Sequence, residues 1–405
     1  MNDPVYGFIT IPTDLIYDVI QEPVFQRLRR IRQLGLTDLV YPGALHTRFH
    51  HALGAMHLMN RTLESLRRKG HFIYDTEAEA VLLAILLHDI GHGPFSHTLE
   101  YGLLKNVRHE DLSLLIMDQL NRKFKGALSL AIDIFNNTYH RKFLHELVSS
   151  QLDMDRMDYL KRDSYFTGVS EGTIGAERII QMLNIVNDRL VVEEKGIYSI
   201  ENFLSARRLM YWQVYLHKTT ISADRILNSI IERAKYLIRQ EENIFAPPNL
   251  KAFLKNEIEI KDFKKNPEYL NSFCSLDDHD IWFSLKNWSS TTDIVLSDLS
   301  SRLLNRELFQ ISITSEKHSL EIEKRLLDQI KRNKKLSDQD AGYYLSSGSI
   351  SNEAYIADGK SIGILMKTGE VMDITQAADL PNIKAMSKIV RKFYLCWPKG
   401  ISLQT

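Results

Sequence analysis

Apolar residues recur at helical spacing along the first half of the chain, from about residue 23 to about residue 242. Leu, Ile, Arg and Glu are frequent there and prolines are few, which favours helices. The pattern therefore predicts an all-α half. Three helices are best marked. The first is expected over 48–70, and the second runs from the capping-box spacing at 76–79 to about His88 and Asp89. The third is one long helix over 205–240.

The pattern changes after Pro247 and Pro248, where the chain to about residue 280 is polar and poorly periodic. We interpret residues 246–307 as a helical or loop-rich connector. Residues 308–405 read as a small α+β subdomain, with a strand over 309–313, a helix over 319–331 and a hairpin over 361–374 about Gly369. The predicted fold is thus mainly α: a helical core over 1–245 with a C-terminal α+β appendage.

Composition narrows the classes of function. Lys+Arg and Asp+Glu both number 51, so overall charge does not favour nucleic acid or an anionic membrane. Cys274 and Cys396 lie far apart, without the spacing of a disulfide framework or a zinc site. The longest aliphatic run covers only residues 80–87 and no signal pattern precedes it, so we expect a cytoplasmic protein that makes no use of membranes.

Two short segments concentrate histidine: residues 46–51 and 88–97 hold three each. Imidazoles beside carboxylates suit divalent Mn, Fe, Co, Ni or Zn, whereas Mg and Ca prefer oxygen ligands. The adjacent His88 and Asp89 can reach one ion only where a helix ends, and Gly91 supplies such an end. The alternative is that each buried histidine only satisfies polar groups of the core.

A family resemblance extends this interpretation. His51, His88-Asp89 and a distant Asp155 match the H…HD…D signature of the HD superfamily. The longer segments 46–54, 87–97 and 152–163 resemble its deoxynucleoside triphosphate triphosphohydrolase branch, over about residues 5 to 310. The resemblance implies that the metal ligands are His51, His88, Asp89 and Asp155.

The same resemblance implies the reaction, in which a dNTP and water give a deoxynucleoside and inorganic triphosphate. It places four further residues beside the phosphate under attack: His92, His97, His109 and Glu110. We assign His97 as the general acid that protonates the leaving 5′ oxygen, a task that suits an imidazole. His109, steadied by Glu110, would bind the reacting phosphate; the alternative for this pair is an exposed helix start.

Substrate contacts are implied in the same way. Guanidinium groups suit a triphosphate, and the matched positions are Arg48, Arg156 and Arg207, assisted by Lys218. Additional Mg bound with the nucleotide is compatible with this set. For the sugar, the matched positions are Gln33 and Asp163 at the 3′-hydroxyl, Leu34 and Tyr215 where a ribonucleotide has its 2′-hydroxyl, and Tyr159 and Tyr211 nearby. The alternatives are solvated helix cations and core tyrosines.

This chain also departs from the vertebrate members of the branch. Arg156, Tyr211, Gln213 and Leu216 replace a lysine, a histidine, an arginine and a glutamine, which leaves the preferred nucleotide open. Four residues match a nucleotide-activator site between subunits: Gln26, Arg29, Arg178 and Arg306. Because Gln21 replaces the acid that reads guanine, another activator such as dATP, or none, is compatible. The match implies a homo-oligomer, a dimer or tetramer; ordinary surface charge is the alternative.

Two competing functions stay open. The chain could be an HD phosphohydrolase for another nucleotide, although it lacks the patterns of alarmone hydrolases and cyclic-dinucleotide phosphodiesterases. It could also be a non-catalytic oligomer that senses nucleotides or binds single-stranded nucleic acid through its arginines and the basic run at 331–335. The intact set of metal ligands favours a hydrolase.

Overall fold

The computed structural model describes residues 1–96, 98, 102–352, 361–379 and 389–402. Helices dominate the N-terminal half: α1 Asp14–Gln21, α2 Pro23–Gln26, α3 Arg48–Arg68, α4 Asp75–Leu87, α5 His109–Lys123, α6 Ser129–Phe135, α7 Lys142–Val148, α8 Met154–Thr167, α9 Ala176–Met182, α10 Ile197–Met210 and α11 Lys218–Arg239. Short 3-10 turns cover Arg27–Arg30, Gly35–Leu39, Ser170–Gly172 and Glu194–Gly196.

The remaining helices follow in the C-terminal part: α12 Pro248–Lys255, α13 Ile260–Lys265, α14 Pro267–Ser275, α15 Asp278–Trp288, α16 Ile294–Leu304, α17 Leu320–Lys334, α18 Asp338–Gly342 and α19 Ile374–Ala377. The strands are short: β1 Asn2–Asp3, β2 Gly7–Phe8, β3 Leu183–Val186, β4 Arg189–Glu193, β5 Gln310–Thr314, β6 Ser346–Ser351, β7 Gly363–Leu365, β8 Val371–Asp373 and β9 Arg391–Trp397. The predicted fold class, mainly α with a small C-terminal α+β part, is confirmed.

Helices α3, α4 and α8 pack together and position the histidine segments. Residues 80–87 of α4 are all buried, as expected of a helix that is apolar on every side. α3 ends as predicted before Gly70, whose φ of 91° suits a helix terminus. α4 begins slightly earlier than predicted, because the Glu77 carboxylate accepts from the Tyr74 backbone N–H at 3.0 Å. Its end at His88 agrees with the prediction.

The single long helix predicted over 205–240 is wrong. α10 ends at Met210, a π-helical turn covers Tyr211–Tyr215, and α11 begins at Lys218. The His217 side chain stabilises the new start, since its Nδ1 accepts from the Thr219 N–H at 3.2 Å.

The prediction of an all-α half is wrong at one hairpin, formed by β3 and β4. Its turn residues Asn187 and Asp188 have φ of 49° and 61°, as a tight two-residue hairpin requires. β4 also pairs in parallel with β7, so the sheet order is β3-β4-β7-β8. The C-terminal hairpin predicted about Gly369, β7-β8, is confirmed and extends a sheet of the core.

The polar stretch after residue 247, predicted as a helical or loop-rich connector, is built of short helices. Prolines at the first turns of α12 and α14 fix the helical φ and explain why weak periodicity still gives short helices. The predicted strand and helix near residues 309–331 correspond to β5 and α17, and the second sheet has the order β5-β9-β6. The domain boundaries stay a prediction.

Candidate metal centre and active site

Four side chains converge where helix ends meet: His51 in the first turn of α3, His88 and Asp89 directly after α4, and Asp155 in the first turn of α8. Asp155 Oδ1 lies 3.1 Å from His51 Nε2 and 3.4 Å from His88 Nε2. Asp89 lies 3.3 Å from His88 Nε2 and 3.8 Å from His51 Nε2. Ligands about 2.1 Å from one ion stand about 3 Å apart. His51, His88 and Asp155 offer ligand atoms within 4.8 Å of one another and could hold a divalent metal ion, while Asp89 forms a second such group with His92 and His109.

Both histidines present the same nitrogen to the centre. His51 Nδ1 is 2.7 Å from an Asp158 oxygen, and His88 Nδ1 is 2.6 Å from the Ile85 carbonyl oxygen. Each Nδ1 therefore donates its proton to an acceptor, which leaves the Nε2 lone pair directed at the cluster. This is the usual arrangement around metal-binding histidines.

The electrostatics of the cluster favour a cation. Burial lowers the pKa of His51, but the carboxylates of Asp155 and Asp158 outweigh it and raise the pKa to about 10. Burial likewise raises the pKa of Asp155, but its contacts with the rings of His51 and His88 bring it well below its ordinary value. The carboxylates thus stabilise positive charge at this point, and a bound metal ion would supply that charge.

Arg48 holds Asp89 from the other side. Its guanidinium donates to an Asp89 oxygen and, at 2.8 Å, to Ser96 Oγ. The predicted phosphate ligand is therefore within reach of the metal centre but is also engaged with a proposed metal ligand. Phe95 and Ser96 adopt φ of 50° and 40°, an uncommon conformation that recurs at functional loops.

Two more histidines adjoin Asp89. The rings of His92 and His109 stack at 3.8 Å, and His92 Nε2 is 3.4 Å from Asp89 Oδ1. Burial and the Arg48 charge lower the pKa of His92 well below its ordinary value, so this ring is neutral at physiological pH. His109 Nδ1 lies 3.6 Å from the Glu110 carboxylate. His97, the predicted general acid, lies outside the described residues.

The predicted sugar contacts meet around one buried carboxylate, Asp163. It accepts from the Tyr215 hydroxyl at 2.9 Å and lies 2.7 Å from His46 Nε2. Gln33, whose backbone N–H donates to the His46 carbonyl, has a buried Oε1 with no hydrogen-bond partner among the described residues. Because a buried acceptor without a partner is costly, this atom suits a ligand hydroxyl.

The other predicted substrate residues lie nearby to different degrees. The ring centroids of Tyr159 and Tyr211 lie 6.1 and 5.2 Å from that of Tyr215. Arg156 donates to Asp153 at 3.1 Å and is 3.8 Å from Asp155. The remaining three residues differ in burial. Arg207 is buried and donates to Gln151 at 2.8 Å, Leu34 is half-buried, and Lys218 is exposed.

The residues matched to an activator site form separate contacts within one chain. Arg29 donates to Gln26 Oε1 at 2.8 Å and lies over the Phe49 ring. Arg178 donates to the Lys195 carbonyl at 3.3 Å, and Arg306 donates to the Leu39 carbonyl at 2.8 Å. A shared role for these four residues stays a prediction.

Sequence reasoning missed the residues that support the centre. Asp158 holds His51 and is itself held by Arg162, which donates from Nε and Nη2 at 2.9 Å each. Arg27, fully buried, donates to the His92 and Ile90 carbonyls and so fixes the loop after α4. The spacing of Asp158 and Arg162, one helical turn apart, was the available signal.

Two glycines of the histidine segments allow close packing. A Cβ at Gly54 would overlap the Asp158 carboxylate and the Arg162 guanidinium. A Cβ at Gly91 would overlap the His109 carbonyl oxygen and the Ser113 amide nitrogen, both backbone atoms. The sequence signature therefore includes glycines because the ligand-bearing helices approach so closely.

Comparison with known proteins agrees with the fold. A family model described as "HD domain" matches residues 48–163, and one described as "HD associated region" matches residues 174–253. The chain belongs to the HD superfamily of phosphohydrolases, in the branch that resembles deoxynucleoside triphosphate triphosphohydrolases.

Individual relatives cover most of the chain. The crystal structure of a phosphohydrolase from Bacteroides thetaiotaomicron has 52% identity and a TM-score of 0.95 over 98% of this chain and 99% of that one. An uncharacterised Bacillus subtilis protein, YwfO, is 34% identical over 99% of this chain and 92% of its own length. A Dictyostelium discoideum protein named a deoxynucleoside triphosphate triphosphohydrolase homologue is 30% identical over 66% of this chain and 55% of its own.

None of the described helices combines the length and the apolar character needed to cross a membrane.

Proposed function

We propose that this protein is a metal-dependent dNTP triphosphohydrolase, which releases a deoxynucleoside and inorganic triphosphate. One observation carries the proposal: a single face of α8 bears the metal ligand Asp155, then Tyr159, then Asp163, at intervals of four residues. The metal end of this face suits a phosphate and the Asp163 end suits a sugar hydroxyl. The named Dictyostelium relative supports the same substrate class.

The four ligands would hold one Mn, Fe, Co, Ni or Zn ion, which when bound would activate a water and polarise a phosphate oxygen. Neutral His92 and the adjacent His109 would accept or donate hydrogen bonds at that phosphate. Arg48, Arg156 and Arg207 would neutralise the triphosphate, together with Mg bound to the nucleotide. His97 would give its proton to the leaving 5′ oxygen.

The 3′-hydroxyl would donate its one hydrogen to Asp163 or to Gln33 Oε1 while lying in contact with both, and the Tyr215 ring would occupy the space of a 2′-hydroxyl. Activation by a second nucleotide and assembly into a dimer or tetramer belong to the same proposal. Its direct test is to load the protein with each metal, supply the four dNTPs singly and mixed, and separate the products by ion-pair chromatography.

Triphosphate and deoxynucleoside in equal amounts would support attack at the α-phosphate, and turnover only in mixtures would support an activator. Release of phosphate or pyrophosphate instead would contradict the proposed reaction. No turnover under any metal would favour another phosphorylated substrate or a binding role.

Two variants of Tyr215 separate its two roles. Tyr215→Phe keeps the ring and removes the hydrogen bond to Asp163, whereas Tyr215→Ala also opens the space beside it. We expect the Ala variant to raise the ratio of NTP to dNTP turnover about tenfold or more, and the Phe variant to leave that ratio nearly unchanged. Equal ratios in both variants would contradict the sugar assignment.

A further inference from the structure

A buried chain of charges links the N-terminal hairpin to the metal centre. Asp3, on β1, is 7% exposed and accepts from Arg162 Nη1 at 2.7 Å. Arg162 is fully buried and donates to both oxygens of Asp158, which in turn accepts from His51 Nδ1 at 2.7 Å. The order is therefore carboxylate, guanidinium, carboxylate, imidazole.

The Asp3 carboxylate changes how strongly the Asp158 carboxylate can accept a hydrogen bond. If Arg162 were paired with Asp158 alone, its positive charge would neutralise the carboxylate that accepts from His51. Asp3 shares the N–H groups of Arg162, so the pair of carboxylates keeps a net negative charge, and Asp158 stays a strong acceptor for His51 Nδ1–H. A stronger acceptor at Nδ1 increases the basicity of Nε2, the nitrogen that faces the metal position.

The surroundings of these four residues indicate that the fold holds them in this arrangement. Asp3, Asp158, Arg162 and His51 are each at most 7% exposed, so water screens these charges little. The Tyr6 ring, from the turn of the same hairpin, lies 5.5 Å from the Arg162 guanidinium carbon, and Gly54 leaves room for the Asp158–Arg162 pair. Asp3 and Arg162 are 159 positions apart, so the contact is a tertiary one.

We propose that Asp3 is a positioning residue of the metal centre, which acts through Arg162 and Asp158 to strengthen His51 as a ligand. The proposal rests on the metal site and not on the identity of the substrate.

The test is a Co²⁺ titration of metal-depleted full-length protein, read as a dissociation constant and as the visible spectrum of the bound ion. Asp158→Asn should weaken Co²⁺ binding about 10–100-fold, as loss of a supporting hydrogen bond does elsewhere. Asp3→Asn, which lies two contacts beyond Asp158 through Arg162, should weaken it about 3–10-fold and shift the spectrum in the same direction.

The double variant decides whether Asp3 acts through Asp158. If it does, Asp3→Asn should add nothing once Asp158→Asn is present, whereas independent effects would multiply. The matched control is Asp293→Asn, which breaks a comparable ion pair with Arg233 in another part of the molecule and should leave Co²⁺ affinity unchanged. Asp3→Glu keeps the charge and should recover part of the affinity.

Four results would overturn the proposal. Unchanged affinity and spectrum in Asp3→Asn would remove the role of Asp3, and multiplying losses in the double variant would remove the path through Asp158. An equal loss in Asp293→Asn would mean that any broken ion pair has this effect. Wild-type protein that binds no metal would overturn the metal site and this proposal with it.

Discussion

Each of the two histidines in the proposed metal centre has one ring nitrogen hydrogen-bonded to the protein and one directed at the cluster. His51 is held by a carboxylate and His88 by a backbone carbonyl, so the two imidazoles differ in basicity although they occupy equivalent positions. Gly54 leaves the space that the Asp158–Arg162 pair beside His51 occupies. A single methyl group there should therefore affect both stability and metal binding.

Gly54→Ala places a Cβ against the Asp158 carboxylate and the Arg162 guanidinium, both fully buried. We expect a loss of about 1–3 kcal/mol in the free energy of unfolding, measured with urea, and weaker metal binding. Gly342→Ala is the control, because a Cβ at Gly342 meets no atom within 4 Å. Equal stability of the two variants would contradict the packing argument.

Helix termini, more than helix faces, build this site. His88 follows the end of α4, while His51, His109 and Asp155 lie in the first turns of their helices. Another helix start braces the loop between them: Asp278, at the start of α15, accepts from the Phe95 N–H at 2.9 Å and the Arg32 N–H at 2.8 Å. Burial of this carboxyl gives a pH-dependent contribution to stability.

Burial raises the pKa of Asp278 to about 6, although the two backbone N–H groups act in the opposite direction. A carboxyl with a raised folded pKa contributes stability below its unfolded pKa and loses it as pH rises through the folded value. The quantity to compare is the free energy of unfolding of the wild type minus that of Asp278→Asn. It should thus be about 2–3 kcal/mol greater at pH 4 than at pH 7. Urea unfolding across this range tests it, and a difference independent of pH would contradict it.

Local signals in the sequence account for the elements that were predicted well. Periodicity and Gly70 mark α3, and the apolar run of residues 80–87 marks α4 and its end at the ligands. The β3-β4 hairpin had a usable signal, Asn187-Asp188 between β-branched residues, which the surrounding helical pattern outweighed. The break at Tyr211–Tyr215 continues a helical pattern in the sequence, so local reasoning could not locate it.

The supporting shell of the metal centre was harder to predict for a different reason. Asp158 and Arg162 stand one turn apart on α8, but their partners, His51 and Asp3, come from distant parts of the chain. No pattern within one element specifies such contacts. The four proposed ligands come from the family signature, and the structure brings them into one region.

The C-terminal part is joined to the core by a sheet and by a buried cation. β4 pairs with β7, and Arg233 of α11 donates to Asp293 at the start of α16 and to Asp340 of α18. Arg233 is 8% exposed, so its buried charge depends on these two carboxylates for compensation. The whole chain is therefore expected to unfold as a coupled unit.

Arg233→Met keeps much of the side-chain volume and removes the charge shared by Asp293 and Asp340. We expect the free energy of unfolding to fall by about 3 kcal/mol. This is the low end of the range for a broken buried ion pair, because Asp340 is partly exposed. Thermal or urea unfolding measures this loss. Metal affinity should stay unchanged, and wild-type stability in the variant would contradict the coupling.

The central claim is that His51, His88, Asp89 and Asp155 hold one metal ion. The most direct measurement is the metal content of desalted protein, by plasma mass spectrometry, after loading with Mn²⁺, Fe²⁺, Co²⁺, Ni²⁺ or Zn²⁺. We predict about one ion per chain for the wild type with at least one of these metals, and almost none for Asp155→Ala, whose circular dichroism should stay helical. A wild type that retains no ion, or an Asp155→Ala protein that retains a full equivalent, would contradict the account.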